Sequence, residues 1–102
     1  MQIIETNLPT NGSFKRRNST DEIILHHAEA SRASVEEVNR WHLERGWTGI
    51  GYHFYIRKDG KVYRGRPEWA VGAHAQGHNS RAIGICVEGS YMTETMPQAQ
   101  LD

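Results

Sequence analysis

Two short, continuous apolar runs constrain the fold of this chain more than any other feature. Ile23-Ile24-Leu25 and the run from Ala82 to Val87 are rich in β-branched residues and carry no charged side chain. Runs of this length without polar alternation are typical of strands that are covered on both faces. A chain of 102 residues can enclose only one core. We therefore expect two buried strands in one small domain, with the second run as a central strand.

A capping box predicts a helix between the two runs. The hydroxyl of Ser34 can accept from the Glu37 amide, while the Glu37 carboxylate reaches back to the amide of Ser34. Gly46 can supply the left-handed residue that ends the helix. The face that should pack on the sheet, at helical spacing, comprises Val35, Val38, Trp41 and His42.

A β-hairpin is predicted after this helix. Asp59-Gly60 stands between two alternating segments, and an Asp-Gly pair there favours a two-residue type I′ turn. In that register Ile56 faces Tyr63. Residues 65–81 show no periodicity and are rich in glycine, which predicts a long loop of a length that is usually functional or disordered.

The two ends of the chain give weaker signals. Residues 1–19 read as an N-terminal extension with a possible edge strand and a polar loop, and the organised domain is expected over residues 20–102. The basic cluster Lys15-Arg16-Arg17 is expected to be a solvated loop. Thr95 as N-cap and Pro97 in the first turn predict the start of a second helix.

Composition excludes several classes of function. Twelve Lys and Arg balance twelve Asp and Glu, so nucleic acid or an anionic membrane is not indicated as the main partner. No run approaches the roughly 20 apolar residues that span a bilayer. The N-terminus lacks the pattern of a secretory signal, and Cys86 is the single cysteine. We therefore expect cytoplasmic synthesis in a reducing compartment.

Six histidines raise the question of a metal site. His26 ends a predicted strand, where it could be a ligand or a hydrogen-bonded histidine at the rim of a cleft. His74 and His78 have the i, i+4 spacing of a helical metal pair, but the flanking glycines argue against a helix. Cys86, inside an apolar run, is expected to pack as a small hydrophobe, and Trp41, Phe54 and Ile56 are expected in the core.

Taken together, five strings resemble the successive motifs of one family, in order and with its spacing. They are Ile24-Leu25-His26-His27, Trp41-His42, Gly51-Tyr52-His53-Phe54 followed by Asp59-Gly60, the segment from Gly72 to Asn79, and Ile83-Gly84-Ile85. The family is the zinc-dependent N-acetylmuramoyl-L-alanine amidases, which share their fold with amidase-type phage lysozymes and peptidoglycan recognition proteins. The resemblance runs from about Ser19 to the end of the chain.

The resemblance implies an α/β fold with a mixed central sheet and flanking helices. It implies hydrolysis of the amide between N-acetylmuramic acid and L-alanine of the stem peptide, by water that zinc activates. In that scheme His26 is a zinc ligand, and the Tyr52 hydroxyl is a catalytic donor to the oxyanion or orients the water. His42, His74 and Asn79 match positions that line the groove for peptidoglycan or a muropeptide. Cys86 stands where the wall-recycling branch has glutamate, so the chain resembles the phage and recognition-protein branch.

One departure from the family lies at the C-terminus. Family members carry a second histidine and a cysteine or aspartate beyond the helix that begins here near Pro97, and this chain has none of these positions. We therefore expect weak zinc binding, little activity from these 102 residues alone, and an uncovered sheet face that favours self-association. The alternatives are a non-catalytic peptidoglycan-binding module and a truncated gene product. An endolysin would act on the cell wall after release.

Overall fold

The computed structural model describes residues 2–101 as a five-stranded mixed sheet with helices. The strands lie in the order β1-β4-β3-β5-β2. β5 pairs in parallel with both β2 and β3, whereas β3 and β4 form an antiparallel hairpin. The expected α/β fold with a mixed sheet and the central position of β5 are both confirmed. The elements are β1 Ile3–Ile4, β2 Glu22–His27, α1 Val35–Glu44, β3 Phe54–Ile56, β4 Val62–Arg64, β5 Ala82–Val87 and α2 Gln98–Leu101.

Helix α1 forms as its sequence predicts. Both hydrogen bonds of the capping box between Ser34 and Glu37 are present, and Gly46 has a φ of +86° just after the C-cap. Val35 and Val38 are buried against Tyr55 and Cys86 of the sheet. The main core therefore lies between α1 and one face of the sheet.

The hairpin is confirmed, but its predicted turn and register are wrong. Ile56 pairs with Val62, and Tyr63 pairs with Tyr55. Of the two turn residues only Gly60 has a positive φ, of +87°. The turn closes with hydrogen bonds from the Gly60 amide to the Arg57 carbonyl and from the Arg57 amide to the Lys61 carbonyl. A type I′ turn needs two left-handed residues, so a wider turn with a single left-handed glycine replaces it and shifts the pairing by one residue.

Strand β2 is covered on one face only, which corrects the expectation drawn from its apolar run. It lies at the edge of the sheet, where Ile23 is 70% and Leu25 is 65% exposed. The uncovered apolar surface that the family resemblance implies is thus present on β2, whereas Val87 at the end of β5 is buried. Self-association through this surface stays a prediction.

The N-terminal segment packs along the sheet. β1 is the expected edge strand and pairs with β4, and the Thr6 hydroxyl donates to the Arg64 carbonyl. The interpretation of the basic cluster as a solvated loop is wrong for Arg17, whose Nη1 donates to the Ala70 carbonyl at 2.8 Å. Arg16 is exposed but lies over the ring of Trp69. The proposed domain boundary at residue 20 stays a prediction.

The C-terminal helix starts later than predicted. α2 begins at Gln98, so Thr95 lies three residues before it rather than at the N-cap. Gln100 is buried, and its amide group donates to the backbone carbonyls of Ile56 and Glu88. α2 is therefore held against the ends of β3 and β5. Within residues 2–101, no helix has the length and apolar character needed to cross a membrane.

Candidate functional site

Four of the predicted site residues converge on the α1 side of the sheet. The ring centroids of His26 and Tyr52 are 5.3 Å apart, and those of His26 and His74 are 5.1 Å apart. Tyr52 also lies 5.6 Å from His42. These four side chains, hereafter the histidine cluster, come from β2, α1, the segment before β3 and the long loop. The sequence motifs therefore meet in space, as the family resemblance implies.

His26 and His74 are joined directly. Nε2 of His26 lies 3.0 Å from Nδ1 of His74, which is a hydrogen bond whose direction depends on the ring tautomers. Burial lowers the pKa of His26, and the charge of His27 lowers it further. Burial and the neighbouring His26 lower the pKa of His74 to about 4. Both rings are therefore neutral at pH 7, and a single proton lies between them.

Two glycines make room for the ring of His74. A Cβ on Gly84 of β5 would lie 2.6 Å from Cγ and Cδ2 of His74, and a Cβ on Gly72 would lie 2.5 Å from Cδ2. Neither distance occurs for ordinary side chains. The loop can place His74 beside His26 only because both positions lack a side chain.

His42 is oriented by the backbone. Its Nδ1 accepts from the Gly51 amide at 2.8 Å, and the residue is only 5% exposed. Burial lowers the pKa of His42 to about 4, with smaller effects of Arg45 and Arg66. The ring is therefore neutral, and its proton sits on Nε2 because Nδ1 is an acceptor.

Tyr52 and Cys86 form the apolar floor of the cluster. Burial raises the pKa of the Tyr52 phenol, and the neighbouring Cys86 raises it further. Burial also raises the pKa of the Cys86 thiol to about 12. The tyrosine therefore keeps its proton as a hydrogen-bond donor, and Cys86 is a buried neutral thiol, as expected for core packing.

Asn79 closes the loop that carries His74. Its carboxamide oxygen accepts from the amides of His74 and Ala75 at 2.8 and 2.9 Å. The loop therefore already uses this oxygen. Contact of Asn79 with substrate stays a prediction. His78 lies apart from the cluster and pairs with Glu22 at 2.9 Å. The loop from His74 to His78 has no helix, as expected.

Two cavities lie beside the histidine cluster. The first, of about 140 Å³, is lined by His42, Tyr52 and residues of β2's end. The second, of about 310 Å³, is lined by His74, Asn79 and Trp47. The ring centroids of His42, which lines the first cavity, and Trp47, which lines the second, are 4.5 Å apart. Four of the five predicted site residues thus line these two cavities, hereafter the groove, and His26 contacts His74 in their lining.

Sequence reasoning missed two residues beside the groove. His53 is fully buried, its Nδ1 accepts from the Gly84 amide and its Nε2 contacts the Ala70 carbonyl at 2.7 Å. Its place in the Gly51-Tyr52-His53-Phe54 motif was the available signal. Glu29, which lines the first cavity, has a φ of +59°. No local pattern marks that conformation, because Ala28 and Glu29 are held by distant carbonyls of Val87 and Gly89.

The described residues include one zinc ligand that the family resemblance implies, His26, and its neighbour His74. Among residues 2–101 there is no group of three His, Cys, Asp or Glu side chains placed to hold a metal ion. A catalytic zinc normally takes three protein ligands and water. The described residues therefore fit zinc through His26 alone and do not complete a zinc site.

Several known proteins resemble this chain in sequence and fold. The endolysin of Escherichia phage T7 is 49% identical over 80 residues, which are 74% of this chain and 52% of that protein. The N-acetylmuramoyl-L-alanine amidase LysC from Clostridium intestinale superposes with a TM-score of 0.95 and 42% identity, over 99% of this chain and 68% of that one. A tyrosine-to-phenylalanine variant of Drosophila peptidoglycan-recognition protein LB, in complex with tracheal cytotoxin, superposes with a TM-score of 0.85 and 31% identity, over 98% and 68%.

These likenesses confirm the fold that the motifs implied. The chain spans about half the length of the curated relatives it matches. The sequence model of the Amidase_2 family, which is described as N-acetylmuramoyl-L-alanine amidase, matches residues 16–102. Because that match covers most of the sequence, this chain belongs to the N-acetylmuramoyl-L-alanine amidase family.

Proposed function

We propose that this protein takes part in the hydrolysis of one amide bond of peptidoglycan, the bond between the lactyl group of N-acetylmuramic acid and L-alanine. The observation that carries the proposal is the convergence of His26, His42, Tyr52 and His74 on one groove. Family membership and the printed names of the relatives, endolysins and N-acetylmuramoyl-L-alanine amidases, support the same reaction.

The chain's own residues bind and orient the glycopeptide in this proposal. His42, His74 and Asn79 form the wall of the groove, where neutral imidazoles and an amide can pair with sugar hydroxyls and peptide groups. Tyr52 is the catalytic donor, because a phenol that keeps its proton can donate to the oxyanion that develops on the scissile carbonyl.

Zinc is proposed as the cofactor only together with ligands that residues 2–101 do not supply. A bound zinc would supply a Lewis acid for the scissile carbonyl and would activate water for attack. His26 is the residue of this chain that would hold it. Weak zinc binding by these 102 residues remains a prediction, and a stoichiometric zinc content that resists chelators would contradict it.

A non-catalytic peptidoglycan-binding module is the second candidate. Two observations favour it: residues 2–101 contain no three-ligand group, and a related recognition protein was solved with tracheal cytotoxin bound. Both candidates have peptidoglycan or a muropeptide as partner. As an endolysin, the protein would act on the cell wall after release, in line with its phage relatives.

A comparison of two tyrosines tests the proposed reaction. A disaccharide-peptide muropeptide is titrated into wild-type protein, Tyr52→Phe and Tyr63→Phe, and release of peptide with a free alanine amino group is then followed with zinc added. We expect Tyr52→Phe to keep the wild-type Kd and zinc content and to lose about 10²–10³-fold in whatever hydrolysis rate the protein shows. Tyr63, half-buried on β4 and outside the groove, is the matched control and should change neither quantity.

Each outcome separates the candidates. Full activity in Tyr52→Phe would remove this hydroxyl from the mechanism. Muropeptide binding without peptide release, in protein that holds zinc stoichiometrically, would favour the binding module. The same result without bound zinc is expected of these 102 residues for either function. Absence of binding at millimolar muropeptide would contradict both functions.

A further inference from the structure

The N-terminal segment is tied to the loop that carries His74. Two short stretches of backbone, residues 15–17 and residues 69–71, run antiparallel to each other around an isolated bridge. The Arg17 amide donates to the Trp69 carbonyl at 2.6 Å, and a second backbone hydrogen bond joins the other end of the pair at 2.8 Å. Just beyond this pair the loop reaches His74, which lines the second cavity of the groove. A segment from before the first buried strand thus supports a wall of the groove.

The side chain of Arg17 adds a third link, to the carbonyl of Ala70. Its Nη1 donates to this oxygen at 2.8 Å, and its Nε donates to the Thr20 hydroxyl at 2.7 Å. The planar guanidinium is therefore held by two acceptors at once. Hydrogen bonds from a charged donor are stronger than those from a neutral one. The Ala70 carbonyl is thus the point at which Arg17 can act on the loop.

The ring of His53 holds the same carbonyl. The Gly84 amide donates to Nδ1 of His53 at 3.0 Å, so Nδ1 is unprotonated and the ring proton lies on Nε2. Nε2 therefore donates to the Ala70 carbonyl at 2.7 Å. Arg17 Nη1 lies 3.2 Å from Nε2, but two donors do not bond to each other, so both address the Ala70 oxygen. A carbonyl oxygen has two lone pairs and can accept both.

This arrangement leads directly to the ring of His74. The ring centroids of His53 and His74 are 5.9 Å apart, and a Cβ on Gly84 would lie 2.6 Å from Cγ of His74. A continuous series of hydrogen bonds therefore joins Arg17, the Ala70 carbonyl, His53 and the strand beneath His74. Coupling between distant groups is carried by contiguous contacts of this kind. Without the guanidinium, this part of the loop should open more often.

We propose that Arg17 is a positioning residue for the groove: together with His53 it fixes the Ala70 carbonyl and so holds the loop that carries His74 and Asn79. The family match begins at residue 16 and so includes this side chain. The effect of Arg17 on muropeptide binding rests on the proposed function, whereas its hold on the loop does not.

Amide hydrogen exchange of the free protein tests the hold on the loop. In Arg17→Ala the amides of His74 and Ala75, which both donate to one side-chain oxygen, should exchange about tenfold faster because the loop opens more often. Amides of the central strand should accelerate much less. In Arg16→Ala, the matched control, the loop amides should keep their wild-type rates, since the Arg16 guanidinium lies over the Trp69 ring. Unchanged loop exchange in Arg17→Ala, or equal acceleration of loop and central strand, would overturn the proposal.

Titration of the disaccharide-peptide muropeptide tests the consequence for the groove. Arg17→Ala should raise the Kd roughly tenfold, as loss of one hydrogen bond from a charged group commonly does. Arg17→Lys keeps the charge and one donor, so it should recover part of this loss, and Arg16→Ala should stay within about twofold of wild type. An unchanged Kd in Arg17→Ala would overturn the positioning role.

The two measurements separate this proposal from the proposed function. Faster loop exchange in Arg17→Ala, in a protein whose wild type binds no muropeptide, would contradict the proposed function and still support the hold of Arg17 on the loop. If Arg17→Ala does not fold, Arg17→Lys takes its place in both measurements, with smaller changes expected in the same direction. Wild-type exchange and wild-type Kd in Arg17→Lys would then overturn the proposal.

Discussion

Two polar clusters in this molecule differ in how completely their side chains are hydrogen-bonded. The Glu88 cluster consists of Arg57, Lys58 and Glu88 beside a cavity of about 360 Å³. Both carboxylate oxygens of Glu88 are fully used: Oε1 accepts from Arg57 Nε and the Lys58 amide, and Oε2 accepts from Arg57 Nη2 and the Ala33 amide. The Glu88 cluster thus holds the ends of β3 and β5 to the start of α1.

The histidine cluster is neutral and incompletely bonded. Nε2 of His74 is buried without a normal hydrogen bond, and Tyr52 presents a protonated phenol to the groove. Unsatisfied polar groups cost stability, so folds keep them where they have a use. The Glu88 cluster is therefore saturated with hydrogen bonds, and the histidine cluster is the one to which the proposed function assigns the chemistry.

The pKa values of the two clusters are lowered for different reasons. Burial by itself would raise the pKa of Glu88, but the guanidinium of Arg57 and the amides of Lys58 and Ala33 outweigh it and lower the pKa. In the histidine cluster no opposite charge from residues 2–101 compensates burial, so the pKa values of its imidazole rings fall and the rings stay neutral. The Glu88 cluster is therefore held by charged groups, whereas the rings of the histidine cluster carry no charge at neutral pH.

Among the single substitutions at neutral pH, removing the charge of Glu88 should give the largest loss of stability. In Glu88→Gln one carboxylate oxygen becomes an NH₂ group, which would face two donors and leave Arg57 without a counter-charge. We expect a loss of roughly 3 kcal/mol in the free energy of unfolding, at the low end of the range for buried pairs because Arg57 is 30% exposed. Urea unfolding followed by tryptophan fluorescence measures it.

An exposed ion pair provides the control for Glu88. Glu5 pairs with Arg64 at 2.8 Å, but its side chain is 68% exposed. Glu5→Gln should change the free energy of unfolding by no more than about 0.5 kcal/mol. Equal losses in both variants would contradict the distinction between a saturated buried cluster and a surface pair.

Filling the space under His74 should have the next largest effect. The three atoms nearest to a Cβ on Gly84 all belong to the His74 ring. We expect Gly84→Ala to displace the ring and cost about 1–3 kcal/mol, as overpacking usually does. In the background of His74→Ala the same substitution should cost much less, because the ring is gone. Urea unfolding of the two single variants and the double variant measures this coupling. Equal costs in the two backgrounds would show that Gly84 has no part in seating His74.

The elements that depend on local chemistry were predictable from the sequence. The capping box fixed α1 at Ser34, and the Asp59-Gly60 pair located the hairpin. The details that failed depend on the rest of the fold. Asp59 avoids the left-handed conformation because its carboxylate accepts from the Lys61 amide within a wider turn. Such a choice between turns leaves no trace in the residue pattern.

The candidate site was predictable as a set of residues but not as a set of bonds. The linked motifs identified His26, His42, Tyr52 and His74 through resemblance. The bond between His26 and His74 joins residues 48 positions apart, and it exists because a loop without periodicity returns across two glycines. Burial of β2 was misjudged for a similar reason: an apolar run does not show whether a second layer covers the outer face of an edge strand.

Acid should weaken the fold gradually through the neutral histidines, before it reaches the carboxylates. In the unfolded chain His42 takes up a proton below about pH 6.5, but in the folded protein it does so only near its lowered pKa of about 4. Between these values the unfolded state binds more protons, so stability falls as the pH falls, by at most about 1.4 kcal/mol per pH unit for each such histidine. His74 adds to the same window. The pKa of Glu88 is lowered from 4.5, so its contribution is lost only below that range.

Urea midpoints measured from pH 7.5 to 4.5 should therefore decline, and His42→Asn should make the decline shallower. The asparagine oxygen can still accept from the Gly51 amide, but the side chain no longer titrates. A flat profile in this range would mean that the buried rings are not held neutral, and the contrast between the two clusters would fail.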